Sequence, residues 1–222
     1  MNIITRQEVK YVIGQKTYED LLHDLKPYLE ECSYSNQQIF NVYYDNDNDD
    51  LAIRSTEKKE FKDKLRARVY VTNEKMSDVF IELKKKLKGT SYKRRVKIPY
   101  DKFNFENLEF LDESQIGKEI KFLLEKTGCK PKVCISYSRM SYNAIGEEDL
   151  RITFDSNIKT RTTNLGFMKN EDDQTLINQG EYVMEIKSGQ GSFPLWLVKI
   201  LSRHKVFPDS MSKYGKAFAL NT

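Results

Sequence analysis

Charge and bulk alternate with a period of two from Lys64 to Arg95, and this alternation restricts the chain more than any other feature. In an extended strand successive side chains point to opposite faces. Lys64, Arg66 and Arg68 therefore share one face, while Leu65, Ala67 and Val69 take the other. Glu82, Lys84 and Lys86 oppose Ile81 and Leu83 in the next segment. Beyond a turn at Gly89, Lys93, Arg95 and Lys97 oppose Arg94, Val96 and Ile98. Three consecutive strands are expected to build a cationic face with an acidic residue set into it. Such a face suits a ligand with closely spaced negative charges.

The same alternation recurs further on. Arg139 falls with Tyr137 and Ser141, Arg151 with Thr153 and Asp155, and Glu185 and Lys187 oppose Met184 and Ile186. One architecture compatible with it is an antiparallel sheet with a core face and a solvated face. Solvated faces usually mix in Ser, Thr, Asn and Gln, whereas Lys and Arg dominate here, and like charges across neighbouring strands repel unless something anionic neutralises them. The other architecture is a closed barrel with the charges inside and helices covering its apolar outside. Its lumen would hold a linear polyanion through Arg forks and Lys point charges. Glutamates among those cations can hold a divalent ion through hard oxygen ligands. The formal net charge is only +4, so a strong positive field has to come from arrangement.

The chain of 222 residues is long enough for one substantial core, and without internal repeat or obvious linker it reads as a single domain, 1–222. The first strand runs from Arg6 to Ile13 and stops at Gly14, with Arg6, Glu8 and Lys10 on one face. A helix capped by Thr17 is expected to reach about Glu31, with a kink or an earlier end at Pro27. Ile39 to Tyr44 forms the second strand. The acidic run Asp45 to Asp50 resembles the start of a calcium-binding loop, but Asp50 stands where glycine is needed and Thr56 where glutamate closes the site, so it reads as a solvated turn. After the basic hairpin come an irregular link (Asp101 to Phe110), a helix over Glu119 to Lys126 ended by Gly128, and strands at Lys132 to Tyr142, Leu150 to Asp155 and Tyr182 to Lys187. Lys159 to Gly180 reads as a polar loop. Pro194 to Lys205 is amphipathic, with Leu195, Trp196, Val198, Ile200 and Leu201 apolar and Trp196 a packing residue. Tyr137 and Tyr142 fit either the lumen wall or the outer core. Three cysteines, Cys32, Cys129 and Cys134, form no even framework, and no run approaches the ~20 apolar residues of a membrane helix. With no signal peptide at the start, a cytoplasmic protein without a membrane segment is expected.

Taken in order, the motifs resemble a known family. Arg6-x-Glu8-x-Lys10-Tyr11, Tyr43-Tyr44-Asp45, Lys64-Leu65-Arg66-x-Arg68, Glu82-Leu83-Lys84-x-Lys86 and Lys93-Arg94-Arg95 are similar to those of the VTC domain. So are Ser138-Arg139-x-Ser141-Tyr142, Leu150-Arg151-Ile152-Thr153-x-Asp155, Met184-Glu185-Ile186-Lys187 and Ser212-Lys213-Tyr214. This is the polyphosphate polymerase branch of the triphosphate tunnel metalloenzymes. A threonine often follows the Tyr-x-Asp motif in the family, and Asn46 stands here.

The resemblance implies an α+β fold, an antiparallel β-barrel (the triphosphate tunnel) of about eight strands with helices packed outside. It implies transfer of the γ-phosphoryl group of ATP to a growing polyphosphate chain, with Mn²⁺ or Mg²⁺. Lys213 would contact the transferring phosphate, with Arg66, Arg68, Arg139 and Arg151 beside it as catalytic cations. Lys10, Lys64, Lys84, Lys93, Arg95, Lys187 and Ser212 would bind phosphate. Glu185 would hold the metal, and Glu82 would either share it or only orient Lys84 and Arg95. A free-standing, bacterial-type domain is expected. Two other functions share these features: a metal-dependent hydrolase of inorganic or nucleoside triphosphate, and a non-catalytic polyanion-binding module. The near-neutral net charge and the set-in glutamates argue against nucleic acid as the partner. Phosphoryl transfer needs in-line positioning and charge stabilisation, not a protein nucleophile, so a chain whose only histidines are His23 and His204 loses nothing by lacking more.

Overall fold

The computed structural model describes residues 7–57, 61–87, 90–105, 111, 114–189 and 191–221. Arg6, Gly89 and residues 106–110 of the link lie outside them. In chain order the elements are β1 (Gln7–Gly14), α1 (Gln15–Leu25), a 3₁₀ turn (Lys26–Tyr28), β2 (Leu29–Glu31), β3 (Gln37–Asp45), α2 (Asp50–Thr56), β4 (Phe61–Thr72) and β5 (Lys75–Met76). Then follow β6 (Val79–Leu87), β7 (Thr90–Ile98), a second 3₁₀ turn (Tyr100–Lys102), α3 (Gln115–Thr127), β8 (Lys130–Ala144), β9 (Glu147–Arg161), β10 (Gln174–Thr175), β11 (Glu181–Ser188), α4 (Leu195–Arg203) and α5 (Lys213–Asn221). The chain divides into two compact units. The first comprises Met1–Gln37, Tyr137–Ile158 and Ile177–Met211; the second comprises Gln38–Ser136, Lys159–Leu176 and Ser212–Thr222.

In the first unit the antiparallel order is β1-β11-β9-β8. Tyr11, Ile13, Leu150, Ile152, Phe154, Met184 and Ile186 fill its apolar face, closed by Leu21 and Leu25 of α1 and Leu197, Ile200 and Leu201 of α4. In the second unit β8 is followed by β3, β4, β6 and β7. The apolar members of the expected inward set are the ones found: Leu65, Ala67, Val69, Ile81, Leu83, Val96 and Ile98 are all buried, together with Phe40, Val42 and Tyr44 of β3 and Ile120 and Leu124 of α3, whereas Arg94 is exposed and pairs with Glu119 of α3. Pairing in register puts Lys64 beside Lys84 and Lys84 beside Lys93, so the period-two alternation becomes a shared face. The fold class is therefore the expected α+β one, an antiparallel sheet with helices. Its hydrogen-bonded path has edges at β1 and β7, which are not paired to each other among the described residues.

Several local expectations are corrected. α1 begins at Gln15 behind Gly14 with no side-chain cap, so Thr17 lies inside its first turn. It ends at Leu25 because Pro27, lacking an N–H, can only continue as the short 3₁₀ turn. Asp45 is not part of a solvated turn: it is fully buried and accepts from the backbone N–H groups of Leu51 (2.9 Å) and Ala52 (2.8 Å), which starts the unforeseen helix α2. In α4, Leu195 (66 % exposed) and Val198 (46 %) face solvent, and Leu197 takes the inward position instead. Trp196 does pack, stacked on Tyr28 with ring centroids 4.4 Å apart. Gly128 ends α3 as expected, at φ 64°, a conformation that needs no Cβ.

The stretch expected as a polar loop has a buried organiser. Arg161, 3 % exposed, pairs with Asp173 (2.5 Å) and donates to the carbonyls of Asn164 (3.0 Å), Gly166 (3.1 Å) and Met168 (2.9 Å). Removing this guanidinium strands a buried carboxylate and three carbonyls. Arg161→Ala is expected to cost about 3–5 kcal/mol, read by urea denaturation, and to open residues 162–173 to limited proteolysis.

Candidate functional site

Each unit carries its own cationic sheet face. In the second unit the centre is Glu82 on β6, 1 % exposed. Its Oε2 accepts from Arg66 Nη2 (2.6 Å) and Nε (2.9 Å), with Arg68 Nη1 at 3.8 Å, and its Oε1 lies 2.5 Å from Lys93 Nζ. Strand register brings these groups together, because Arg66 is opposite Glu82 and Glu82 opposite Arg95. Burial disfavours the Glu82 carboxylate, but Arg66, Arg68 and Lys93 outweigh it and hold its pKa far below the ordinary range.

The arginines are also held by neutral partners. Arg66 Nη1 donates to the Tyr43 hydroxyl (3.0 Å), and Arg68 Nε donates to Asn41 Oδ1 (2.7 Å), whose own amide donates to the Ile135 carbonyl (2.9 Å). Arg95 lies over the Phe80 ring at 4.9 Å. Burial opposes ionisation of Tyr43, yet the charges of Arg66, Lys64 and Arg68 bring its pKa down to about 8. Asn41, Tyr43 and Asp45 escaped the sequence reading of the site, although alternation along β3 puts all three on one face. Lys64 Nζ donates to Ser212 Oγ (3.0 Å), and Ser212 Oγ in turn accepts from Gly215 N (3.2 Å) at the start of α5. Ser212 is thus a cap, and Lys213 opens α5.

In the first unit β1, β11 and β9 set Lys10 beside Glu185, Glu185 beside Thr153 and Lys187 beside Arg151. Glu185 Oε1 lies 2.6 Å from Lys187 Nζ, and its Oε2 is 4.0 Å from Lys10 Nζ, which also lies 3.7 Å from Glu8. Arg139 makes a bidentate pair with the buried Asp155, Nε to Oδ1 at 2.6 Å and Nη2 to Oδ2 at 2.7 Å, and sits over the Tyr137 ring. Tyr137 therefore belongs to the polar face and Tyr142 to the core. Arg151 sits 5.7 Å from the Tyr34 ring. Arg151 Nε, Thr153 Oγ1 and Ser141 Oγ are buried without a hydrogen-bond partner among the described residues.

The two glutamates differ as candidates for a divalent ion. Among the described residues no group of three or more His, Cys, Asp or Glu side chains gathers as a metal cluster. Glu82 does not fit, since cations engage both of its oxygens. Glu185 fits better: its Oε1 meets Lys187 and its Oε2 stands 4.0 Å from Lys10 Nζ, and the Thr153 hydroxyl, buried with no hydrogen-bond partner among the described residues, is its neighbour across the ladder, so a carboxylate and a hydroxyl, both hard oxygen donors, stand side by side.

A family model described as the VTC domain matches residues 5–221. No curated protein matches the sequence. Solved structures share the fold at low identity. The PH1819 protein of Pyrococcus horikoshii OT3 is 17 % identical, with a TM-score of 0.54 over 98 % of this chain and 99 % of that one. A putative adenylate cyclase of Bacillus halodurans is 14 % identical, with a TM-score of 0.56 over 93 % and 95 %. HpAC1 of Hippeastrum, a putative adenylyl cyclase described as having a dominant triphosphatase activity, is 16 % identical, with a TM-score of 0.54 over 96 % and 94 %.

Two measurements check these electrostatics. Glu82→Gln leaves its surrounding cations without a counter-charge and is expected to lower stability by about 3 kcal/mol. A depressed carboxylate pKa contributes in full above the unfolded value of 4.5 and is lost only as pH falls through the lower folded value, so the deficit stays constant from pH 7 to 5. An ultraviolet titration is expected to show one tyrosine ionising near 8, absent in Tyr43→Phe and moved upward by inorganic tripolyphosphate, because a bound anion disfavours the phenolate.

Proposed function

This chain belongs to the VTC domain family, a branch of the triphosphate tunnel metalloenzymes, and from that membership we propose that it is an ATP-dependent polyphosphate polymerase. The observation that carries the reading is the cationic face around Glu82. Arg66, Arg68 and Lys93 gather on one buried carboxylate, which makes a pre-arranged cationic surface. A chain of phosphates complements such a surface. The proposal treats 1–222 as one functional domain, in agreement with a family match that runs through both units.

In this mechanism the terminal phosphate oxygen of the acceptor attacks the γ-phosphorus of ATP, the bond to the β-γ bridging oxygen breaks, and ADP leaves. The protein supplies positioning and charge. Arg66 is fixed by Glu82 and Tyr43 and Arg68 by Asn41, so both guanidinium charges face a phosphate chain without reorganising. Lys64, Lys84, Lys93 and Arg95 add cations along the same face, and Lys10, Arg151 and Lys187 do so in the first unit. Arg139, whose charge Asp155 already balances, contributes less to affinity and more to shape. Glu82 orients cations. Lys213 contacts the phosphoryl group in transit. Glu185, with Thr153 beside it, would hold Mn²⁺ or Mg²⁺, which when bound neutralises phosphate charge. A triphosphatase uses the same residues with water as the acceptor; the activity described for HpAC1 favours keeping it as the second reading.

Incubation with ATP, Mn²⁺ and a short polyphosphate primer, followed by ³¹P NMR, is expected to show growth of the internal-phosphate signal with ADP. Orthophosphate without that growth would establish the triphosphatase instead. Arg66→Ala is expected to weaken tripolyphosphate binding about tenfold or more with the fold intact, and Glu185→Ala to abolish turnover while binding is retained.

A further inference from the structure

The start of α5 is tied down within the second unit by groups that carry no free charge. The Tyr214 hydroxyl donates to Asp45 Oδ2 at 2.7 Å, and both residues are buried. Asp45 is itself immobilised by three backbone N–H groups, those of Asn46, Leu51 and Ala52. The Tyr214 ring stacks on Tyr43 with centroids 4.5 Å apart and planes 8° from parallel. Tyr43 in turn accepts from Arg66. On the other side of Lys213, Ser212 accepts from Lys64. Lys213 is therefore flanked on both sides by residues anchored to the strands that carry the cationic face.

We propose that the Asp45–Tyr214 hydrogen bond is a positioning device for phosphoryl transfer, which fixes Lys213 relative to Arg66 through the Tyr43–Tyr214 stack. The inference rests on the reading of Lys213 as the residue that meets the transferring phosphate. Neither Asp45 nor Tyr214 touches substrate in this scheme. A helix start can carry a lysine anywhere within reach of its rotamers, but transfer requires the ammonium at one place, and misplacement by about 1 Å can cost a hundredfold. The buried carboxylate is suited to the task because its four hydrogen bonds leave it no alternative position, and because among the described residues Tyr214 is its only side-chain donor.

Tyr214→Phe removes the hydroxyl while retaining the stack and the start of α2. The proposal expects kcat for ATP consumption to fall about tenfold, with KM for ATP within twofold and the melting temperature lowered by only a few degrees. The decisive comparison is Tyr214→Phe in a Lys213→Ala background, with ADP formation followed over hours where the rate is slow. If Tyr214 acts through Lys213, the second substitution adds almost nothing. A further tenfold loss in the double variant would overturn the proposal, as would an unchanged kcat in Tyr214→Phe alone. Full activity of Lys213→Ala would remove the proposal together with the role given to Lys213. It would leave the phosphate-binding reading, tested separately through Arg66, intact.

Discussion

Like charges placed side by side on neighbouring strands are the constraint on which the second unit turns. Lys64, Lys84 and Lys93 occupy one row of the ladder, and Arg66, Glu82 and Arg95 the next. Unit charges about 5 Å apart repel by roughly 3 kcal/mol at an effective dielectric constant near 20. Flexible lysines relieve part of this by splaying, but Arg68 is buried and cannot. Glu82 is the compensation. It is nearly inaccessible and touches Arg66 and Lys93 directly, so the sheet tolerates the cations. One carboxylate thereby organises three cations, Arg66, Arg68 and Lys93, on a single face.

Glu82 and Glu185 show how far the sequence reaches. Both stand in a Glu-apolar-Lys triplet on a strand, Glu82-Leu83-Lys84 and Glu185-Ile186-Lys187, so local pattern gives them the same description. Their difference comes from neighbours distant in sequence: Arg66 and Lys93 close off Glu82, whereas Thr153 adds a hydroxyl next to Glu185. Alternation assigned the face of each residue correctly. It carried no information on which groups across the ladder would consume a carboxylate's lone pairs, because that depends on register and side-chain reach.

The fold was legible for the same reason and failed where that reason stops. A period of two survives any tertiary context in which one face is buried, so the cores beneath β4, β6 and β7 follow directly from the sequence. Helix ends depend on capping chemistry, and there tertiary partners intervene. Asp45 looked like one acid among several in a polar run, but burial and four hydrogen bonds convert it into the start of α2 and the anchor of Tyr214. Arg161 likewise looked like a loop arginine, and its carbonyl partners become visible only once the loop folds back on it.

Asn41 and Tyr43, neither of which suggested catalysis in the sequence, share one physical property that bears on the proposed phosphate site. A carboxylate that orients an arginine also cancels its charge, as Asp155 does for Arg139. An amide or a phenol orients without cancelling. Asn41 holds Arg68 in this second manner, and Tyr43 adds a neutral contact to Arg66 beside its pair with Glu82. A surface meant only to be stable would gain more from carboxylates at those positions. Neutral partners preserve a field for a ligand, and the mixture of a single buried glutamate with neutral donors and acceptors is what an anion-binding face requires to be both rigid and still attractive.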